Sequence, residues 1–501
     1  MDGSLTRDSL LAKIEAVQKE LNPSAIREQW HEIMNDIHQQ AIFLPLWGSR
    51  IPYVTNRRLD GFVPPSQAFT YPIETISVLD GSTTVTVAPG SGGALFKSVG
   101  PMNPHQYSPN QLFVNGWIYE GLVKYGQDGQ ILPALAESWD TEDIVGGGQR
   151  VTFQLRKGVT FHDGSDWNCT VAKLNFDHVL SDEVRERHSW YGTPSILSNW
   201  ACNVLDEFVL ETKTPFYPLL QELSYVRPLV FASAAAFEEG LDSDPLTHNS
   251  CRSGDFGSKW EYLEDSVVCK GLKAPIGTGP FKFVDRTVHP DDDTKDQQAV
   301  FARHDGYWGK VAEIETLVVK RYETTEEVFA DLVAGNLDMV LGTGPLTGQQ
   351  VGEIQRLHST NLDVVKSEVL QNAVLVLNTN IAPTNDIDVR KAIIHAVDKA
   401  KFLDTEFSGL EQPVTELLPL STPYADLDLN PKWSYDLEKA TFINCPFETS
   451  SSSELSGGGI AGIAIGVIAF VGLAFALLFV VRREKQGKPV FAPKSETKSQ
   501  A

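Results

Sequence analysis

PMNPHQYSPNQLFVNGWIYEGLVKYGQDGQILPALAESW, residues 101–139, is the stretch on which the fold turns. Pro101, Pro104 and Pro109 withhold amide donors and bias their neighbours away from the helical region, so the opening is a loop. The run from Asn110 through Tyr119 then predicts a helix. Just upstream, TTVTVAP (residues 83–89) alternates as a strand does. The pattern therefore changes after Thr75, and a new domain is expected to begin near residue 78.

Upstream, Ile26, Trp30, Ile33, Met34 and Ile37 recur at helical spacing within residues 24–40. AIFLPLW and the polar TNRR follow, predicting helix, buried strand and turn. Downstream to about Asp404, strand-like RVTFQLR and FVLETKT alternate with helical TVAKLNFDHVL and TTEEVFADLVAG, which predicts a mixed α/β domain. Proline and acidic residues thicken from Leu417 to Asp436. SSSSELSGGG, from Ser450, is a flexible stalk by composition.

From Gly459 to Val481 the chain reads GIAGIAIGVIAFVGLAFALLFVV, uncharged and apolar. At about 1.5 Å per residue, a helix of this run matches a hydrocarbon core of roughly 30 Å. Arg482, Arg483, Lys485 and Lys488 follow at once, so this end is expected in the cytoplasm and the bulk of the chain outside, as a single-pass membrane protein. The chain opens MDGSLTRDSLLAKIEAV, without an apolar signal core, so either the N-terminus lies beyond this sequence or insertion is unusual.

The 501 residues carry a formal charge of -23, which argues against a nucleic-acid surface because phosphate binding draws on clustered Lys and Arg. The five cysteines form no CxxC pair and no zinc-finger spacing, so no structural metal is expected. Cys251 and Cys269 bracket a polar stretch that either closes as a disulfide loop or leaves two free thiols. Asn168-Cys169-Thr170 satisfies the N-glycosylation sequon.

Catalytic motifs are missing: there is no HExxH, no GxSxG and no Walker loop, so no enzyme activity is expected. His162-Asp163-Gly164 predicts a turn after a strand. Gly277-Thr278-Gly279-Pro280 predicts a rigid turn into FKFV, since proline removes an amide that a phosphate loop needs. Arg187, Trp190 and Arg227 stand out chemically, because a guanidinium grips carboxylates in a bidentate fashion and an indole offers a stacking face.

Residues 101–139 resemble the opening of the family 5 solute-binding proteins, which serve dipeptide, oligopeptide and nickel ABC importers, and most of all the nickel-binding members. The likeness continues in order through LRKGVTFHDGSDW, RHSWYG, FYPLLQELSYVRP, GLKAPIGTGPF, HDGYWGK, AGNLDMVLG and LNTNIAPTNDIDVRKAIIHAVDK. It implies a periplasmic-binding-protein-like (type II) α/β fold of two lobes closing over a ligand, with capture and delivery as its role. In the nickel-binding members, arginines and aromatic rings hold a chelated metal; the matching positions are Arg187, Trp190 and Arg227, while Leu112 replaces a methionine near the metal.

The likeness fades near Ala440, and residues 24 to about 73 resemble the family's final helix and strand. The resemblance thus implies residues 1–75 as a displaced C-terminal segment docking onto the following domain, and 78–375 as lobe one. It makes 376–440 the start of a truncated lobe two, ahead of the stalk (441–458), the membrane helix (459–481) and a cytoplasmic tail (482–501). The implied ligands are oligopeptides or metal chelates, with nickel only as a bound chelate, and the implied partner is an ABC permease. A surface scaffold or adhesion protein with a degenerate lobe is the alternative.

Overall fold

The computed structural model describes residues 5–67, 69–91, 93–100, 102–105, 112–127, 129–145, 147–180, 193–241, 259–263, 266–272, 274–407 and 411–442. All of them fall within one unit, Met1–Asn444. The apolar run Gly459–Val481, its stalk and its basic flank lie outside the described residues. Among the described residues no helix is long and apolar enough to cross a membrane.

Two helices lead the chain, α1 (Arg7–Gln18) and α2 (Pro23–Gln39). Asn22 caps α2 by accepting from the amides of Ser24 and Ala25, and Pro23 sits at the first helical position, where a missing N–H costs nothing. The expected strand follows as β1 (Phe43–Asn56), ending in a turn at Arg57 and Arg58.

The main sheet also takes β2 (Thr84–Ser91), β7 (Phe281–His289), β8 (Asp292–Arg303), β9 (Thr316–Lys320), β10 (Met339–Leu341) and β11 (Leu362–Val376). Their order is β7-β8-β9-β2-β10-β1-β11, with Gln412–Pro413 added beside β1 and Ala94–Leu95 beside β2. Thr-Val alternation places Val85 and Val87 of β2 in the core, between two parallel neighbours. β1, from the front of the chain, is interior to this sheet. It pairs antiparallel with β10 (Tyr53 opposite Leu341) and along its length with β11 (Phe43 opposite Val376, Asn56 opposite Leu362).

Between β9 and β10 the chain forms helix α6 (Thr325–Ala334), which buries Val328 and Leu332 against Val54, Ala88 and Val340. Thr324 and Glu327 exchange side-chain hydrogen bonds with each other's amides, a capping box. Gly335 ends the helix at φ +78°, a conformation that favours glycine. Here local signal and tertiary packing agree.

A second sheet of four strands, β3 (Ala136–Ile144), β4 (Gly148–Leu155), β5 (Leu197–Val204) and β6 (Glu207–Thr212), has the order β5-β6-β4-β3. Helix α4 (Cys169–Val179) packs Phe176 onto Phe208 and Phe231 in its core. Asn168 is the N-cap of α4: its Oδ1 accepts from the Val171 amide at 3.2 Å, so the sequon side chain has a structural task.

The structure pairs two cysteines that the sequence analysis left unassigned. Cys169, opening α4, is disulfide-bonded to Cys202 in β5. Whether Cys251 and Cys269 close a loop or stay free lies outside the described residues, because Cys251 does. A helix start and a strand 33 residues on meet only through the tertiary fold, which spacing does not report.

Candidate functional site

Helix α3 (Leu112–Ile118) carries the site. Phe113, Val114, Trp117 and Ile118 are buried in the main core, which fixes the helix and aims the residues after it, Tyr119 and Glu120, into a cleft. The predicted turn Gly277–Pro280 crosses the end of α3 so closely that glycine is required. A Cβ on Gly277 would sit 1.9 Å from the Ile118 carbonyl oxygen, and one on Gly279 would sit 2.3 Å from that of Trp117. The predicted turn at His162-Asp163-Gly164 is also found, closed by the Gly164 amide donating to the Phe161 carbonyl oxygen at 2.9 Å. His162 then holds the glycine turn: its Nε2 lies 3.0 Å from the Gly279 carbonyl oxygen, and its Nδ1 lies 3.4 Å from the Gly277 amide. With Nε2 as donor and Nδ1 as acceptor the ring is neutral, and burial lowers its pKa to about 3.

This packing delivers Thr278 to Glu120. The carboxylate of Glu120 accepts from Thr278 Oγ1 (2.8 Å), Trp308 Nε1 (2.8 Å) and Tyr307 Oη (3.0 Å). Burial still raises its pKa, and the three donors counter that. Arg156 stacks on the far side of Trp308, 4.2 Å from the ring centroid.

The cleft that opens here has a volume of about 350 Å³. One wall is the N-terminal segment, with Pro65, Ser66, Thr70, Tyr71 and Glu74. The other comes from residues 116–127 together with Ser224, Tyr225 and Val226. Direct hydrogen bonds tie the walls: Ser66 Oγ donates to the Gly126 carbonyl oxygen at 3.0 Å, and Trp117 Nε1 donates to that of Tyr71 at 2.8 Å. Phe69 meets Tyr225 edge-on at 5.1 Å.

Of the residues predicted from sequence, Arg227 directly follows the wall residues Ser224–Val226 and is half-buried before Pro228. Leu112 opens α3, half-buried and outside the cleft lining. Arg187 and Trp190 lie outside the described residues. The described chain resumes at Thr193, whose amide donates to Glu222 at 3.2 Å. Glu222 is in helix α5 (Leu219–Leu223), which leads into the Arg227 segment. Sequence reasoning missed Glu74 and Glu120. Glu120 in IYEGL and its donors Tyr307 and Trp308 in HDGYWGK are one network only in space.

Among the described residues no group of three or more His, Cys, Asp or Glu could hold a metal ion. A recess walled by separate chain segments, with aromatic and hydrogen-bonding side chains, is the arrangement of a small-molecule site. Residues 130–443 match the family described as bacterial extracellular solute-binding proteins, family 5 Middle, and the chain belongs to that family. It is one of solute-binding transport proteins, not of enzymes.

The chain is 33% identical over 350 residues to the nickel-binding periplasmic protein of Escherichia coli K12, covering 68% of this chain and 58% of that one. It is 25% identical over 370 residues to the dipeptide-binding protein of the same organism, covering 68% and 60%. Among solved structures, NikA from Brucella suis in complex with Fe(III)-EDTA superposes with a TM-score of 0.55 at 29% identity, covering 75% of this chain and 66% of that one. The fold is thus the mixed α/β, periplasmic-binding-protein-like one. The chain spans about three fifths of the length of the curated relatives it matches.

Proposed function

We propose that the chain is an extracytoplasmic solute-binding protein of the peptide and nickel importer type, which captures an oligopeptide or a metal chelate and passes it to an ABC permease. The observation that carries this reading is the cleft of about 350 Å³, whose lining includes Ser224, Tyr225 and Val226, the residues just before Arg227. Arg227 and Arg187 grip ligand carboxylates, Trp190 stacks beside them, and Leu112 offers an apolar contact where nickel-binding relatives have a soft one. Residues 78–375 form lobe one and 376–440 begin lobe two, while 1–75 supply the family's final segment from the front of the chain. Gly459–Val481 anchors the protein, with residues 482–501 in the cytoplasm.

The test is a tryptophan-fluorescence titration of the protein with nickel–histidine chelate and with a short-peptide mixture. Saturable quenching that disappears in Arg187→Ala and Arg227→Ala is expected. No response to millimolar ligand would sink solute capture and favour a surface scaffold that displays an inherited lobe.

A further inference from the structure

The cleft contains two carboxylates in unlike circumstances. Glu120 already accepts from three donors of the protein itself. Glu74, on the short turn Ile73–Thr75, lines the same cleft and is half-buried. Apart from its own amide, no donor and no cation lies against its carboxylate among the described residues. Such a group is stabilised by an incoming positive charge.

The surroundings define what kind. Burial raises Glu74 to about 7; Lys124 and Lys310 pull it down and Glu120 pushes it up. Lys124 is exposed at the rim. Tyr71, Tyr119 and Tyr307 line the cleft, and burial raises all three hydroxyls, so they stay neutral across the working pH range. Tyr71 and Tyr119 are buried in the core, whereas Tyr307 is half-buried and feels the charge of Glu74; a neutral aromatic ring beside a carboxylate suits a soft, weakly hydrated organic cation. A divalent metal would need further oxygen or nitrogen ligands.

We propose that this cleft binds the cationic head of a small organic ligand, an alkylammonium or quaternary ammonium group, with Glu74 as counter-ion beside Tyr307. This deepens the reading of the cleft as a solute site and rests on it. Glu74 belongs to the N-terminal segment, so selectivity for cations is contributed by residues distant in sequence from Arg227. Only the carboxylate form pairs with a cation. Affinity therefore falls about tenfold per pH unit below pH 7 and levels off above pH 8, and binding near pH 7 releases a proton.

The experiment is calorimetric titration of the full chain, in a mild non-ionic detergent, with tetramethylammonium and phenethylammonium chlorides and with sodium acetate as the anionic control. Saturable ammonium binding is expected at pH 8, weaker at pH 6 and abolished in Glu74→Gln. The urea midpoint of Glu74→Gln at pH 8, no lower than that of the parent, establishes that the variant is folded. Absence of ammonium binding, or binding unaffected by Glu74→Gln, or preference for acetate overturns the proposal. If nickel–histidine or peptide still binds in an Arg227-dependent way, only the cation assignment fails and solute capture stands.

Discussion

The indole N–H of Trp117 donates to the carbonyl oxygen of Tyr71 at 2.8 Å, joining helix α3 to a segment 46 residues earlier. Both residues are buried, so the bond has no water to replace it. Trp117→Phe keeps most of the ring packing but removes this bond, leaving the Tyr71 carbonyl with the Ile73 amide as its remaining donor. We expect a loss of about 0.5–1.5 kcal/mol, read as a lower urea midpoint at unchanged slope. Trp117→Ala adds the cavity and should cost about 3–5 kcal/mol.

The two turns that meet at the cleft should respond very differently to the same substitution. Gly279→Ala drives a methyl group into the Trp117 backbone, and a loss of more than about 3 kcal/mol or failure to fold is expected. Gly164→Ala meets nothing within 4 Å and bears only its φ of +82°, a cost of about 1–2 kcal/mol. Thermal unfolding of the pair checks this, and equal effects would contradict the close crossing at α3.

Acid should act through His162. Its pKa is lowered from 6.5 to about 3, so the unfolded chain takes up a proton that the native state refuses. The stability this gives is complete above about pH 6.5 and is lost as pH falls toward 3. His105 follows the same sign, lowered by burial to about 4. His162→Gln preserves a donor and an acceptor without titrating. Between pH 7 and pH 5 the parent should lose about 2 kcal/mol more than the variant, measured by urea unfolding at each pH.

Cys202→Ala removes the link between β5 and the start of α4. The entropy of the freed loop sets the expected loss at about 2–4 kcal/mol. Peptide mapping of the unreduced protein should recover Cys169 and Cys202 in one linked fragment. Alkylation of both as free thiols would overturn the pairing and, with it, the oxidising surroundings it implies.

Much of the fold is legible where the signal is local. The Thr324–Glu327 capping box with Gly335 marks a helix at both ends, and the Thr-Val alternation of β2 marks a strand with buried valines. The turn at Gly277–Pro280 is legible as a turn. Its closeness to α3 is not, because that depends on where Ile118 lies in space. Likewise, Glu120 has no local feature to separate it from the chain's other acids. Its three donors come from residues 278, 307 and 308, and only the folded core collects them. Cys169 and Cys202 were hidden for the same reason.

The interior position of β1 also sets a timetable. Residues 43–56 leave the ribosome long before their neighbours, since Tyr53 waits for Leu341 and Phe43 for Val376. At roughly 5–20 residues per second, that interval is on the order of tens of seconds. Throughout it, a strand with two open hydrogen-bonding edges has no native partner, which makes it a natural client for holding factors during synthesis.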